Sequence, residues 1–335
     1  MTASTTETVL VTGATGFIGS ALVNRLLADG HRVRALVLPN DPASGLWSGT
    51  VDEVRGDITD PAAVHRAMEG TSTVYHLAAV VADWADKEVV QRVTMDGTTH
   101  VMEAALSHTA RVVLASSIVV YGDAIDREEC DEDHPFGRPL GVYSWSKQEQ
   151  ERLAREYAEA KGLELVVVRP ANVIGPRCGP WVDEVVAQMR SRMPALLSGG
   201  SQNAGLVSID NLVDVFVRAG QCPEAVGRIY NAADGGDVTW RQYFTDLSAL
   251  AGTPSPLSIP RWVAASMARV CEPLWRGLRR RNRPPITFEA LNLVGSHHTI
   301  PIGRAQRELG YQPGVDSYTQ TMKAIGDYLQ SEGRP

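Results

Sequence analysis

The sequence predicts an α/β protein: a doubly wound parallel sheet with a smaller C-terminal cap. Three observations carry that expectation. Short, β-branched apolar runs alternate with helical segments through the first half; a glycine-rich stretch joins the first run to the first helix; and beyond Pro170 the pattern loosens, with frequent Pro and Gly and shorter helices among isolated strands. With 335 residues, 44% hydrophobic and 21% charged, the chain can bury a substantial core, which excludes disorder, collagen and a disulfide scaffold.

Taken in order, residues 8–12 form the first strand, 17–29 a helix and 32–38 the second strand. A short third strand is expected at 53–55, a helix at 62–68 and a fourth strand at 73–77. After a loop containing Trp84, residues 90–107 read as a long helix and 111–116 as a fifth, buried strand. Residues 146–161 are helical, and 164–169 (ELVVVR) make a sixth strand. Six parallel strands with covering helices bind ligands outside their carboxyl ends. The expected division is therefore 1–170 for the sheet and 171–335 for a cap that completes a pocket, with segments near 205–232 returning to the core.

Composition narrows the partners. A net charge of −7 disfavours general nucleic-acid binding. The charge is uneven, because residues 261–283 carry seven Arg and one Glu, +6, leaving −13 elsewhere. Cys130, Cys178, Cys222 and Cys271 are widely spaced with no CxxC pair, so neither a metal site nor a disulfide framework is expected. The first residues lack a basic start and a long apolar core, and no apolar stretch approaches the ~18 residues of a membrane span. The expectation is a cytoplasmic protein without a transmembrane segment.

The stretch from Val9 to Gly19, VLVTGATGFIG, ends an apolar strand and opens a helix. Gly13 permits a sharp turn, Gly16 lets the backbone approach a pyrophosphate, and Gly19 lets helix and strand pack closely. The helix start at Thr15, Phe17 and Ile18 offers amides to the anion. This spacing resembles the extended short-chain dehydrogenase/reductase superfamily, the NAD-dependent epimerase/dehydratase family. The resemblance extends to GDITD at 56–60 and to VYHLAA at 74–79. It implies a Rossmann-type sheet, an enzyme using NAD or NADP, and cofactor contacts from Asp57, Ile58, Leu77, Ala78 and Ala79. As plain chemistry, Asp57 suits an adenine amine or a helix cap equally. The end of the second strand reads VLPND; neither an acidic residue nor an arginine stands at the expected position, and the lack of a phosphate-binding arginine gives a slight lean to NAD.

Tyr143 and Lys147 in YSWSK lie four residues apart on one helical face. An adjacent ammonium stabilises a phenolate, which makes Tyr143 a general acid/base. The pair matches the family's YxxxK dyad, and the register of SSIVVYG places its serine at Ser117, with Ser116 the alternative. Ser117 and Tyr143 would together orient a substrate oxygen. Thr94 replaces the Asn usual in the preceding helix, and His76 reads as a satisfied strand-end residue.

In RPANVIGP, the resemblance assigns Pro170 and Val173 to the nicotinamide and Asn172 to the diphosphate of a nucleotide sugar, although a turn-capping role fits Asn172 as well. Against the sugar stand the segment Ala82-Asp83-Trp84, YNAADG at 230–235, PIT at 285–287 and GYQP at 310–313. These resemble the 3β-hydroxysteroid dehydrogenase and dihydroflavonol-reductase-like group, and make Trp84 a substrate contact. The expectation is oxidoreduction between a secondary alcohol and a ketone on a lipophilic or polycyclic small molecule. A nucleotide-sugar epimerase or dehydratase is the alternative, and a non-catalytic nucleotide sensor the minor one; a homodimer is left open. Residues 261–283 form an amphipathic basic helix, expected to pack its apolar face on the cap and expose its arginines, with peripheral membrane contact as the alternative and a kink at Pro273.

Overall fold

A computed structural model describes residues 7–42, 45–280 and 282–332; Arg281 of the basic segment lies outside these. The strands are β1 (Thr8–Thr12), β2 (Arg32–Val37), β3 (Asp52–Arg55), β4 (Thr73–His76), β5 (Arg111–Ala115), β6 (Leu165–Pro170), β7 (Asn172–Ile174), β8 (Pro194–Leu197), β9 (Leu206–Ser208), β10 (Ile229–Ala232) and β11 (Leu257–Ile259). The α-helices are α1 (Phe17–Ala28), α2 (Pro61–Met68), α3 (Lys87–Val90), α4 (Gly97–His108), α5 (Val142–Lys161), α6 (Glu184–Arg190), α7 (Ile209–Gln221), α8 (Trp240–Leu250), α9 (Arg261–Gly277), α10 (Phe288–Gly295), α11 (Gly303–Leu309) and α12 (Ser317–Ser331).

The central sheet is parallel throughout, in the order β10-β6-β5-β4-β1-β2-β3. It has seven strands, one more than the six expected, because β10 pairs with β6. The isolated strand expected at 228–231 forms as β10 and takes the sheet edge beside β6. Alternation along each strand feeds two cores. Val9 and Val11 of β1 pack with Leu22 and Leu26 of α1 and with Phe216 of α7, while Leu10 joins Val64 and Met68 of α2 and Met102 of α4 on the other face. Burial of this kind is worth roughly 2 kcal/mol per large aliphatic side chain.

A third cluster unites Val182, Val185, Trp240, Phe244, Met322 and Ile325 around α6, α8 and α12. Two small parallel pairs, β7 with β9 and β8 with β11, form sheets of their own beside the central one. Strand order reverses between β1 and β4, and the carboxyl ends of β1, β4, β5 and β6 emerge at one edge. That crevice is where a ligand binds in such sheets.

Two helices start earlier than expected. The helix expected at 146–161 starts at Val142, which places Tyr143 in its first turn; Ser144 caps the start by accepting from the Leu140 and Gly141 amides at 3.0 and 3.2 Å. The helix expected at 90–107 forms and starts earlier, running unbroken from Lys87 to His108 as α3, a π-helical stretch at Gln91–Asp96 and α4.

Candidate active site

The three glycines after β1 act differently. Gly13 has φ +67, and a Cβ there would sit 2.9 Å from the Ala78 amide nitrogen at the end of β4. A Cβ on Gly19 would lie 2.1 Å from the Gly13 carbonyl oxygen, so α1 reaches the loop only because that side chain is absent. Gly16 precedes α1 in extended conformation and offers no side-chain cap, leaving the first-turn amides of Phe17 and Ile18 open to an anion. A nucleotide diphosphate fits this cradle.

Beyond β2, the Thr15 hydroxyl donates to Asp41 Oδ2 at 2.5 Å, bringing a carboxylate to the glycine loop that the strand-end register did not place there. Arg55 closes the same turn by donating to the Leu38 and Asp41 carbonyls at 3.3 and 2.7 Å. Arg34 is committed to Asp52, at 2.6 Å. Asp57 Oδ1 accepts from the Thr59 amide and hydroxyl at 2.8 and 2.9 Å, while Asp60 caps α2. Ile58 packs in the core against Gly97. Leu77 donates its amide to the Thr12 carbonyl (3.3 Å) and leads into Ala78 and Ala79 beside Gly13.

The structure brings Ser117, Tyr143 and Lys147 together from the end of β5 and the first two turns of α5. The two adjacent serines separate cleanly. Ser116 donates to Glu151 at 2.6 Å, and Glu151 is itself in a buried pair with Arg169 (2.6 and 3.1 Å). Ser117 Oγ instead accepts from the Val119 amide at 3.3 Å and faces the Tyr143 phenol. Burial pushes that phenol up to about 12, the Ser117 hydroxyl opposes the rise and the nearby Glu289 carboxylate adds to it. Burial also pulls the Lys147 ammonium down to about 8, against the attraction of Glu151.

Lys147 Nζ donates to the Ala115 carbonyl and to Gln150 Oε1, both at 2.9 Å. Gln150 Nε2 donates to Thr98 Oγ1 (2.9 Å), whose proton goes to the Thr94 carbonyl (2.5 Å). His76 Nε2 must then donate to Thr98 (3.0 Å), and His76 Nδ1 accepts from Thr12 (2.8 Å). The imidazole is neutral, since burial holds its pKa near 3. A continuous buried chain thus runs from the glycine loop to Lys147, with every member satisfied. The Thr94 hydroxyl, in the place of the usual Asn, accepts from the Val80 amide (3.1 Å) and pins the loop after β4.

On the far side of the crevice, Pro170 ends β6 and the buried Val173 lies in β7. Asn172 is buried, with its amide donating to the Ala204 carbonyl at 2.7 Å. Tyr121 is sealed between Arg169 and Asn231. Trp84 donates to the Arg280 carbonyl (3.2 Å) and stacks under the Arg276 guanidinium, while Asp83 takes a bidentate bond from Arg283 (2.7 and 2.7 Å) and another from Thr287 (2.5 Å). Glu289 of α10 also reaches in: Oε1 accepts from the Ser144 amide at 2.6 Å, and Oε2 is buried with no hydrogen-bond partner among the described residues. Burial raises its pKa to about 7.

Neither Gln150 nor Glu289 carries a local signal in the sequence. Gln150 reads as one more polar residue on a charged helix, and Glu289 lies 146 residues beyond Tyr143. Among the described residues no group of His, Cys, Asp and Glu could hold a metal ion, and no helix is long and apolar enough to cross a membrane.

The sheet, its switch point and the glycine cradle define a nucleotide-dependent α/β enzyme. Residues 9–233 match the NAD dependent epimerase/dehydratase family, and the chain belongs to that family. It is an NAD(P)-dependent enzyme of the extended short-chain dehydrogenase/reductase type. It is 28% identical to a 4-hydroxy-2-methyl-3-oxo-4-farnesyl-3,4-dihydroquinoline-1-oxide ketoreductase from Stigmatella aurantiaca, over 92% of this chain and 95% of that one. It is 34% identical to a UDP-glucose 4-epimerase from Mycolicibacterium smegmatis (strain ATCC 700084 / mc(2)155), over 73% and 83% of the two chains. The solved structure of gox2253 superposes with a TM-score of 0.81 at 27% identity, covering 98% of this chain and 99% of that one.

Proposed function

We propose that the protein interconverts a secondary alcohol and a ketone on a lipophilic or polycyclic small molecule, in the manner of a hydroxysteroid dehydrogenase. The observation that carries the substrate class is Asn172. A nucleotide-sugar site needs amide donors or cations for two phosphates, and here the Asn172 side chain is buried with one of its two N–H donors turned to the Ala204 carbonyl inside the protein. The relative that reduces a farnesyl-bearing ketone supports the same class.

In this reading Gly13, Thr15, Gly16, Phe17, Ile18 and Gly19 hold the nucleotide diphosphate, and Asp57, Ile58, Leu77, Ala78, Ala79, Pro170 and Val173 line the rest of the cofactor. Bound cofactor supplies or accepts a hydride at nicotinamide C4. Tyr143 transfers the proton at the substrate oxygen, and Ser117 donates to that oxygen and holds it against the phenol. The Lys147 ammonium lowers the cost of phenolate in a buried setting that would otherwise forbid it. Asp41, anchored by Thr15, is suited to a ribose 2′-hydroxyl and favours NAD over NADP. Residues 1–170 serve the nucleotide and 171–335 mainly the substrate, in a cytoplasmic enzyme. Trp84 provides an apolar wall for that substrate. The test is a screen at 340 nm with NADH and NADPH against sterol, polycyclic and long-chain ketones and against nucleotide sugars. Net consumption with an apolar ketone supports the reading.

A further inference from the structure

Helix α9 exposes Arg269 and Arg276 as expected, but it does not bury its large apolar residues against the cap. Its buried residues are Ala264, Ala268 and Glu272, whereas Trp262, Val270 and Leu278 just past its end are 72%, 65% and 57% exposed, and Met267 and Leu274 are exposed with them. At 100° per residue, Val270 falls nearly opposite the middle of the alanine stripe, and Leu274 and Met267 lie within about 60° of Val270. Five of the thirteen exposed large hydrophobic side chains among the described residues fall between 262 and 278, so this is a concentrated surface rather than scatter. Pro273 leaves the helix unbroken.

Charge indicates what covers this face. Arg269 and Arg279 are exposed and have no carboxylate partner among the described residues, and Arg280 lies over the Trp275 ring at 5.0 Å. The segment carries +6 on a chain otherwise at −13. A second copy seated symmetrically here would oppose two such segments, whereas an anionic surface complements one. A stripe of Trp and aliphatic side chains edged by arginine suits the headgroup boundary of a bilayer, where the apolar face enters and the guanidinium groups meet lipid phosphate.

We propose that α9 and the arginines following it dock the enzyme peripherally on an anionic lipid bilayer. The same segment holds the 82–84 loop, through Arg280 on Trp84 and Arg283 on Asp83, so docking brings the Trp84 side of the crevice to the membrane surface. A lipophilic ketone dissolved in the bilayer then enters without crossing water. This last step rests on the substrate class proposed above; the docking rests on the surface alone.

The test is co-flotation of the full-length protein with vesicles of phosphatidylcholine alone or mixed equally with phosphatidylglycerol. Capture by the mixed vesicles should exceed capture by phosphatidylcholine by roughly tenfold or more at low salt, and should fall at high salt. Trp262→Ser/Val270→Ser/Leu274→Ser and Arg269→Glu/Arg279→Glu should each lose that capture while binding nucleotide like the parent. A parent that stays soluble with both vesicles, or is captured equally by both, overturns the proposal. So does a parent dimer that the triple serine variant dissociates without lipid, since a second copy then covers the face. Capture without reduction of any lipophilic ketone refutes the substrate class and leaves the docking standing; reduction without capture does the reverse.

Discussion

The crevice is built from two regions that meet Tyr143 from opposite sides. On the sheet side, side chains are placed by backbone: strand ends, a glycine turn and the first turns of α5 set Ser117, Tyr143 and Lys147 within a few residues of regular structure. On the C-terminal side, 261–295, placement depends on distant contacts: Glu289 on Ser144, Arg283 on Asp83, Arg280 on Trp84. The sheet side is rigid geometry that fits a family-wide chemistry. The C-terminal side carries an outward apolar helix and a buried carboxyl. In the function proposed above, reaction type resides on one side of the crevice and substrate delivery on the other.

The largest effect should come from the sheet side. Tyr143→Phe removes one oxygen from a site whose nucleotide contacts lie elsewhere, so turnover should drop by at least ~10²-fold with nucleotide affinity retained. Steady-state kinetics beside calorimetric titration check this; near-normal turnover would remove Tyr143 from the chemistry. Gly16→Val comes next. A Cβ at Gly16 meets only the Gly13 carbonyl, at 3.2 Å, so the fold can accept it while the branched side chain fills the anion space. Nucleotide affinity should fall by at least about tenfold; unchanged affinity in a folded variant would make the loop merely structural.

Gln150→Leu probes the buried chain behind Lys147. Losing its Oε1 acceptor disfavours the ammonium further, so a lysine already drawn to about 8 should titrate lower. The alkaline limb of the pH–rate profile should move toward acid, with turnover near pH 6 much less affected than turnover near pH 8. Gln150→Glu should move the limb the other way. An unmoved profile in both variants would confine Gln150 to packing.

Sequence patterns made the first region readable because its logic is local. Short continuous apolar runs, as expected of strands buried on both faces, marked β1, β4, β5 and β6, and glycine spacing marked the loop. The C-terminal region defeated the same reading for a physical reason. Amphipathic periodicity at 261–283 gives the faces of a helix and not which face is buried, and small Ala264 and Ala268 allow close docking that the larger residues would prevent. Likewise Asp41 reaches Thr15 through the turn closed by Arg55, and nothing near Glu289 records that Gly141 leaves room for it.

Glu289→Gln sharpens the contrast through stability. The folded-state pKa is raised to about 7 from 4.5, so between those values the folded chain keeps a proton the unfolded chain has lost, and stability falls as pH rises through that window. Glutamine does not titrate. Relative to the parent, Glu289→Gln should gain up to about 3 kcal/mol between acid and pH above 7, read from urea denaturation at both ends. A constant difference would mean the carboxyl is not held out of water. The smallest effect belongs to Asn172→Ala. It loses a buried hydrogen bond worth about 1 kcal/mol of stability and should leave the KM for an apolar ketone within about twofold, because Asn172 faces Ala204; a large KM rise would place Asn172 on the substrate.

The most direct test of the central claim is absorbance at 340 nm with purified protein, NADH or NADPH and a panel of apolar ketones beside nucleotide sugars. The account predicts a net fall with an apolar ketone, abolished in Tyr143→Phe, and no turnover of nucleotide sugars. Turnover of nucleotide sugars alone, without net absorbance change, would contradict it.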